Sequence, residues 1–494
     1  MNGEFLIWLW LVLPTVGIPL CLLPRKAHSV LGVYCGLILG VTVVGFTAVR
    51  HVISDGPIVA AGGWFLMDAL SAFHIIVMTI VFLLSSLYAR DYFQHEVRLG
   101  LTTLREVRRY VALSLGFLTA LSLVLISNQL AMMWVAIEAT TLLSAFLICL
   151  HVNSSTLEAM WKYLLICSVG VAFALIGTLL VASSARGLGL GPGETLMWTV
   201  LKDHAASLNI EPLKIGFLFL LVGYGTKSGL APMHTWLPDA HSQAPAPVSA
   251  VFSGFLLNAA LYCIMRYIPI VEEATDYSGW CLGLLVFFGL LSIVIAAAFI
   301  TMQHDLKRLL AYHSVEHLGI ITLGLGLGGL GTFAALFHSL NHSICKTLSF
   351  FSAGRLGQIY GTHDMRKLSG TLRRFPVWGL GLFASLLCLI GLAPFAVFVS
   401  ELQIVKAAID SHSTLALVIF LVGSSAVFAG ALHHAISMAW QTSGDQPTSL
   451  QSTLVEKSLV IVSLAGLLLL GLWIPDFLDK VLKQAANIVS GGVP

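Results

Sequence analysis

The chain has 494 residues, of which 57% are hydrophobic and only 10% are charged. Soluble proteins carry about 25% charged residues, so this composition excludes an ordinary soluble protein and predicts a polytopic membrane protein. The 26 basic and 24 acidic residues give a formal net charge of +2, which provides no basic surface for nucleic acid.

Fourteen apolar runs follow one another along the chain, and each is long enough to cross a bilayer, which takes about 20 mostly apolar residues. They lie near residues 5–23, 29–49, 66–88, 110–127, 129–150, 159–184, 213–231, 246–268, 280–301, 309–328, 330–353, 376–408, 415–439 and 456–474. The first run follows Glu4 rather than a basic segment, so we interpret it as a span and not as a signal peptide. The loops are too short to fold separately, and we expect residues 1–494 to form one all-α membrane domain.

A four-residue motif, Gly-Leu-Ala-Pro, occurs at 229–232 and again at 391–394. Pro232 and Pro394 each interrupt an apolar run and remove a backbone donor, so spans 7 and 12 are predicted to break there. Paired breaks are typical of ion transporters built from inverted repeats, although four residues can also match by chance. We predict three N-terminal spans (1–109), two inverted five-helix repeats (110–268 and 280–439) and a last span (456–474).

The basic residues are distributed unequally between the loops. Sixteen of the 26 basic residues, among them Lys307, fall in loops after odd-numbered spans. Eight basic residues, among them Arg266, fall on the opposite face. The positive-inside rule then places the first face in the cytoplasm and both termini outside. Asp68, Lys162 and Asp305 lie at span edges, and we interpret them as solvated anchors.

Ionisable residues within the predicted spans are the main functional signal, because each costs at least about 2.5 kcal/mol to insert. Glu138, Lys227, Lys346 and Glu401 are such residues. Glu316 and six histidines lie near them in the sequence. The histidines are His234, His241, His313, His317, His338 and His342. Together these side chains are predicted to form a polar line at mid-membrane depth, running along the membrane plane.

This set of side chains favours protons as the transported species. Burial disfavours a charged lysine, and a nearby carboxylate restores its charge, so moving the carboxylate makes the lysine hold or release a proton. Glu138 and Lys227 would form this pair if spans 5 and 7 touch, and histidines can relay the released proton. The structural alternatives are a buried ion pair that only registers helices and histidines bonded to backbone carbonyls.

A metal or redox centre is not predicted in the chain. His313/His317 and His338/His342 have a spacing that also suits a metal, but Lys346 would repel a cation and no carboxylate cluster completes a shell. The eight cysteines occur singly without a CxxC pair, which argues against an iron–sulfur cluster. Any redox centres of the system are therefore expected in other chains.

Three stretches resemble a known family. They are KSGLAPMHTWLPDAHSQAPAP at 227–247, DLKRLLAYHSVEHLG at 305–319 and NHSICKTLSFFSAG at 341–354. They are similar to the antiporter-like membrane subunits shared by respiratory complex I, Mrp-type antiporters and membrane-bound [NiFe] hydrogenases. The resemblance implies that Glu138, Lys227, Lys346 and Glu401 carry protons. It also places His317 and His342 at positions of polar relay residues.

Asn258 departs from many complex I members of the family, which have a lysine at this position of the eighth helix. In Asn258, in the stretch AYHSVEHLG and in its length, the chain is most similar to the hydrogenase-4 component F branch of the family. The resemblance implies a proton-translocating subunit in a bacterial or archaeal inner membrane, with [NiFe] and Fe–S centres or a quinone in partner subunits and a soluble redox arm. The alternatives are a complex I subunit, a Mrp-type Na+/H+ antiporter subunit, and a non-pumping membrane anchor for the arm.

Overall fold

The computed structural model describes residues 3–191, 193–440 and 452–491, and these residues are nearly all helical. The α-helices are α1 (Gly3–Leu22), α2 (Ala27–Asp55), α3 (Ala69–Arg98), α4 (Leu104–Ile126), α5 (Leu130–Ile148), α6 (Ser154–Ser184), α7 (Trp198–Asp203), α8 (Ile210–Ser228), α9 (Trp236–Gln243), α10 (Ala246–Val251), α11 (Leu257–Ala274), α12 (Trp280–Ile300), α13 (Leu306–Leu327), α14 (Leu330–Tyr360), α15 (Thr371–Arg374), α16 (Pro376–Leu389), α17 (Ala396–Asp410), α18 (Thr414–Trp440), α19 (Leu454–Leu472) and α20 (Asp476–Val489). The predicted all-α membrane architecture is confirmed.

Within the described residues, ten helical segments are long and apolar enough to cross a membrane. They are α1 to α6, the continuous segment Ala246–Ala274, α12, α18 and α19. The four other predicted runs fall on α8, α13, α14 and the α16–α17 pair. The number of fourteen spans, the two inverted repeats and the proposed domain boundaries stay predictions.

A β-hairpin and a C-terminal helix are among the elements that were not expected from the sequence. The strands β1 (Ile58–Ala60) and β2 (Phe65–Met67) form an antiparallel hairpin between α2 and α3, with Ile58 opposite Met67. After the last predicted span, α20 packs one apolar face against α3, α11 and α14, while its lysine Lys480 donates to the carbonyl of Ile53.

Both Gly-Leu-Ala-Pro motifs lie where a helix ends. The first follows α8, where Gly229 adopts a left-handed conformation with φ 81°, and the chain continues through a 3-10 turn (Met233–Thr235) into α9. The second lies between α16 and α17, where Gly391 has φ 69°. Both alanine–proline peptide bonds are cis, so the two copies share backbone conformation as well as sequence.

The helices at the centre of the molecule are the polar ones. The segment Ala246–Ala274 is buried throughout its most apolar part, and the polar residues of α13 and α14 are mostly buried as well. A π-helical turn, Phe252–Leu256, joins α10 to α11. Such turns are frequent at functional sites. Helices such as α1, α2 and α18 instead expose many large apolar side chains, as expected for contact with lipid.

The expectation that Asp68 is a solvated anchor and Arg266 a loop charge is wrong. Asp68 is fully buried at the N-cap of α3, and the Arg266 guanidinium on α11 donates to both of its carboxylate oxygens at 2.5 and 2.8 Å. Arg266 also donates to the Tyr262 and Ser71 hydroxyls. The pair joins two helices whose residues are 198 positions apart, which no local sequence pattern reveals.

The expectation that Lys307 is a loop charge exposed to water is also wrong. Its side chain is buried, and its ammonium donates to the carbonyls of Ser242 (3.0 Å) and Ala244 (2.5 Å) at the end of α9. Because helix C-termini attract cations, this lysine caps α9 and fixes it against α13.

A charged cluster lies where α3, α4 and the loop before α6 meet. The His151 ring lies 3.4 Å from the carboxylate of Glu96 and 3.7 Å from that of Glu106. Hydrogen bonding to Glu96 is the main cause of a raised pKa for His151. The protonated form of His151 is therefore favoured in the folded chain.

We expect this cluster to make stability depend on pH. A raised folded-state pKa gives a stabilisation that is complete below the unfolded value, about 6.5 for histidine, and is lost as pH rises through the folded value. His151→Gln should therefore flatten the decrease of the thermal midpoint of the purified complex on the alkaline side of about pH 6.5. His28→Gln, a change at an exposed histidine, should leave that slope unchanged, and equal slopes in both variants would contradict the prediction.

Candidate functional site

Lys227 is the centre of the first half of the site. It lies in the last turn of α8 and is fully buried, and its hydrogen bonds among the described residues go to hydroxyls and not to a carboxylate. Its ammonium donates to the Thr141 hydroxyl of α5 at 2.9 Å and to the Tyr163 hydroxyl of α6 at 2.5 Å. The Tyr163 hydroxyl lies 2.5 Å from the Ser144 hydroxyl in turn.

Glu138 reaches Lys227 through a hydroxyl rather than directly. Thr141 donates to one carboxylate oxygen of Glu138 at 3.1 Å, and Ser168 of α6 donates to the other at 2.9 Å. Thr141 therefore accepts from the lysine and donates to the glutamate. The side chains expected to pair in spans 5 and 7 are brought together, with one hydroxyl between them.

The second half contains a buried lysine without a carboxylate partner among the described residues. Lys346 of α14 is fully buried, and its ammonium donates to the carbonyl of Leu310 on α13. On the same helix as Leu310, the carboxylate of Glu316 lies 3.0 Å from His313 Nδ1. These groups lie between α13 and α14.

Histidines form a directed chain next to this lysine. The Ser400 hydroxyl donates its single proton to the carbonyls of Val397 or Ala396, so His338 Nδ1, 2.9 Å away, must donate to it. His338 Nε2 then accepts from His317 Nδ1 at 2.8 Å. These tautomers, assigned from the bonding network, leave His317 Nε2 free to accept a proton.

Glu401 lies directly beyond the second break. Its carboxylate comes within 4.8 Å of ring nitrogens of His317 and His338, and it borders a groove of about 390 Å³ between α17 and α18. Gly391 gives this carboxylate its space, because a methyl group on Gly391 would collide with a carboxylate oxygen of Glu401. The break therefore holds the glutamate next to the histidine chain.

Gly391→Ala should displace Glu401 and impair transport. The left-handed backbone at Gly391 costs a non-glycine residue about 1 to 2 kcal/mol, and the added methyl group forces the carboxylate away from the histidines. We expect proton transport by the complex to decrease several-fold while the complex still assembles. Gly36→Ala, with no heavy atom within 4 Å of the added carbon, is the control. Unchanged transport in Gly391→Ala would contradict this arrangement.

His241 lies between the two lysines. Aromatic rings connect them: Tyr163 lies against Trp236 (4.9 Å between centroids), Trp236 against His241 (6.5 Å), and His241 against Phe350 (5.4 Å). Lys227 and Lys346 lie over the first and last of these rings, at 4.8 and 6.0 Å. Both ring nitrogens of His241 are buried without a hydrogen-bond partner in the described chain, so the nitrogen that carries no proton is available to accept one.

His234, His342 and Asn258 take different places in the site. His234 lies at the first break beside the rings of Phe299 and Tyr312. His342 is fully buried, with its ring 5.1 Å from that of His317. Asn258 follows the π-helical turn and donates to the Ser343 hydroxyl of α14 at 2.9 Å, so it links the two halves by a neutral hydrogen bond.

The hydroxyls of the site are the part that sequence reasoning missed. Thr141, Ser168 and Ser400 each contact a predicted ionisable residue, and Ser253 meets Ser314 across the two halves at 2.7 Å. Their only signal in the sequence is closeness to an ionisable residue. Thr141 is three residues after Glu138, and Ser400 directly precedes Glu401. Such a network of ionisable and hydroxyl groups, buried and hydrogen-bonded, can hold protons and pass them on.

Comparison with known proteins supports this interpretation. The model of the family described as "NADH:quinone oxidoreductase/Mrp antiporter, TM" matches residues 127–427. A relative named "Hydrogenase-4 component F homolog", from Methylacidiphilum infernorum, is 40% identical over 357 residues, which cover 72% of this chain and 75% of the relative. The resemblance recognised in the sequence is thus confirmed.

Solved structures share the whole fold. A chain of the archaeal membrane-bound sulfane sulfur reductase superposes with a TM-score of 0.87 at 25% identity, covering 99% of this chain and 98% of that one. A chain of the Mrp complex from Dietzia sp. DQ12-45-1b superposes with a TM-score of 0.86 at 20% identity, covering 99% and 97%, a likeness of fold alone. The chain therefore belongs to the NADH:quinone oxidoreductase/Mrp antiporter family of membrane subunits.

Proposed function

We propose that the chain is the proton-translocating membrane subunit of a redox-driven complex. The observation that carries the proposal is the pair of buried lysines with His241 between them. Lys227 is bonded to two hydroxyls, and Lys346 to a backbone carbonyl of α13. Buried lysines are expensive inside a membrane and mark ion pathways. The family and its relatives support the same function.

In the first half, the position of Glu138 would control the proton on Lys227. While Thr141 bridges the two, the carboxylate stabilises the ammonium through the shared hydroxyl. If Glu138 moves away, the buried ammonium loses this support and releases a proton more easily. Tyr163 and Ser144 are already hydrogen-bonded next to it, and His241 offers the next unpartnered nitrogen.

In the second half, protons would leave through the histidines. A proton from Lys346 would reach the free Nε2 of His317, and the chain would pass one on from His317 Nδ1 to His338 Nε2. Glu401, next to both rings and open to the groove, would accept it for release. Net movement runs from the cytoplasmic side to the outside, with both termini outside as the basic residues predict.

We further propose a membrane-bound [NiFe] hydrogenase or formate hydrogenlyase type of complex in a bacterial or archaeal inner membrane. The relative named for hydrogenase-4 component F and the neutral Asn258 favour this branch. The [NiFe] and Fe–S centres, or a quinone, would belong to partner subunits and a soluble arm. A complex I subunit and a Mrp-type antiporter subunit are the alternatives. Proteins co-purified in mild detergent decide between them, because only the first branch includes a [NiFe] large subunit.

The test is redox-driven proton uptake by inverted membrane vesicles that contain the whole complex. Lys346→Ala removes the buried ammonium, and we expect proton uptake to fall at least about tenfold while the subunits stay together. Lys367→Ala changes an exposed lysine and should keep full uptake. If Lys346→Ala assembles and pumps normally, the chain is a membrane anchor and the proposal fails.

A further inference from the structure

Three side chains from three helices converge beside the second break. His317 of α13, His338 of α14 and Glu401 of α17 each place a potential ligand atom within 4.8 Å of the others. Ligand atoms around tetrahedral zinc are about 3.4 Å apart, given zinc–nitrogen distances of about 2.1 Å. Small side-chain rotations therefore suffice to bring all three onto one ion.

The orientation of His338 is already that of a metal ligand. Metal-binding histidines normally donate the proton of their other ring nitrogen to a neighbouring acceptor, which fixes the ring. Here His338 Nδ1 donates to the Ser400 hydroxyl, and its Nε2 accepts from His317 Nδ1 at 2.8 Å. A metal ion would replace this last hydrogen bond, with the proton of His317 moving to its unpartnered Nε2. Ser400 is itself fixed by its bond to the carbonyl of Val397.

Two histidines at this place have unused ring nitrogens. Both nitrogens of His342 and the Nε2 of His317 are buried without a hydrogen-bond partner among the described residues. The rings of His342 and His317 lie 5.1 Å apart, and both side chains are fully buried. His342 borders the three ligands but does not belong to the group whose ligand atoms lie within 4.8 Å of one another.

The neighbouring lysine, which the spacing in the sequence indicated would repel a cation, donates its hydrogen bond to the carbonyl of Leu310. Lys346 is one turn from His342 on the same helix, so its positive charge has to be offset where the three ligands meet. The carboxylate that the sequence did not supply comes from Glu401.

We propose that His317, His338 and Glu401 bind a divalent transition-metal ion of the zinc class. Two imidazoles with one carboxylate favour such an ion over Na+, Mg2+ or Ca2+, which prefer oxygen ligands. The groove bordered by Glu401, Leu402 and Phe420 lies directly beside the three ligands. Since the ion takes the lone pairs that pass protons, its binding also blocks transport, and this consequence alone rests on the proposed function.

The test measures metal binding directly, on the assembled complex after removal of loosely bound metal with a chelator. Co2+ is titrated as a spectroscopic substitute for zinc, and its absorption reports tetrahedral nitrogen and oxygen ligands. We expect one such site in the wild-type complex, absent in His338→Ala and at least about tenfold weaker in Ser400→Ala. The variant His433→Ala, at an exposed histidine of α18 outside this site, is the control and should retain it.

A Co2+ spectrum that is the same in wild type, His338→Ala and Ser400→Ala overturns the proposal. If His338→Ala does not assemble, Ser400→Ala still decides, because it changes only the support of one ligand. A separate titration with Zn2+ measures proton uptake by wild-type vesicles, and uptake should fall as the Co2+-detected site fills. Because the spectrum does not depend on pumping, failure of metal binding and failure of the proposed function are seen separately.

Discussion

Lys227→Ala should abolish redox-driven proton uptake in vesicles while the complex still assembles. Without the ammonium, a proton crossing this part of the membrane has no side chain to hold it. If its barrier rises by as much as a charged side chain costs to insert there, the increase is about 2.5 to 3.5 kcal/mol. A barrier increase of this size slows transport by about two orders of magnitude. The loss should exceed that from Thr141→Val, which removes only the hydroxyl bridge to Glu138.

The same helix provides the control for this prediction. Lys214, near the start of α8, lies over the ring of Trp280 at 5.2 Å and contacts none of the predicted proton carriers in the described chain. Lys214→Ala should keep proton uptake within about twofold of wild type, as expected for substitutions away from a site. Normal uptake in an assembled Lys227→Ala complex would remove Lys227 from the path.

The second large effect concerns stability. Arg266→Leu leaves the fully buried carboxylate of Asp68 without its bidentate partner. Removing one member of a buried ion pair costs about 3 to 5 kcal/mol, because the remaining charge is uncompensated. We expect a clear decrease in the thermal denaturation midpoint of the purified complex and a lower yield. Adding Asp68→Asn to Arg266→Leu should recover part of this loss.

An exposed arginine–aspartate pair serves as the matched control. Arg366 donates to the carboxylate of Asp364 at 2.9 Å in a loop, with 70% of its side chain exposed. Exposed pairs contribute about 0 to 1 kcal/mol, so Arg366→Leu should hardly change the midpoint. A decrease in Arg266→Leu no larger than in Arg366→Leu would show that the buried pair does not hold α3 and α11 together.

The sequence predicts the ionisable residues of the site because each is costly within an apolar run. On this basis the sequence alone predicts Glu138, Lys227, Lys346 and Glu401 as ionisable residues within the membrane. It could not find Thr141 or Ser168, because hydroxyl residues are common in membrane helices. Only the packing of α5, α6 and α8 shows which of them faces a lysine.

The errors in the sequence interpretation have one physical cause. Asp68, Arg266 and Lys307 lie near the ends of apolar runs, where a charge usually reaches water. Whether it does so depends on what packs above it, and the partners of Asp68 and Lys307 are 198 and at least 63 residues away in the chain. The proposed metal ligands could not be predicted from the sequence for the same reason. Glu401 meets His317 and His338 only through the packing of α13, α14 and α17.

The π-helical turn at Phe252–Leu256 sets the rotation of the helix that follows it. On its two sides, Ser253 meets Ser314 of α13 and Asn258 meets Ser343 of α14. An α-helix turns by about 100° per residue, so removing one residue from this turn would direct Asn258 away from Ser343. The additional residue in the π-helical turn thus lets one helix contact α13 through Ser253 and α14 through Asn258. These two contacts align the two halves of the polar line with each other.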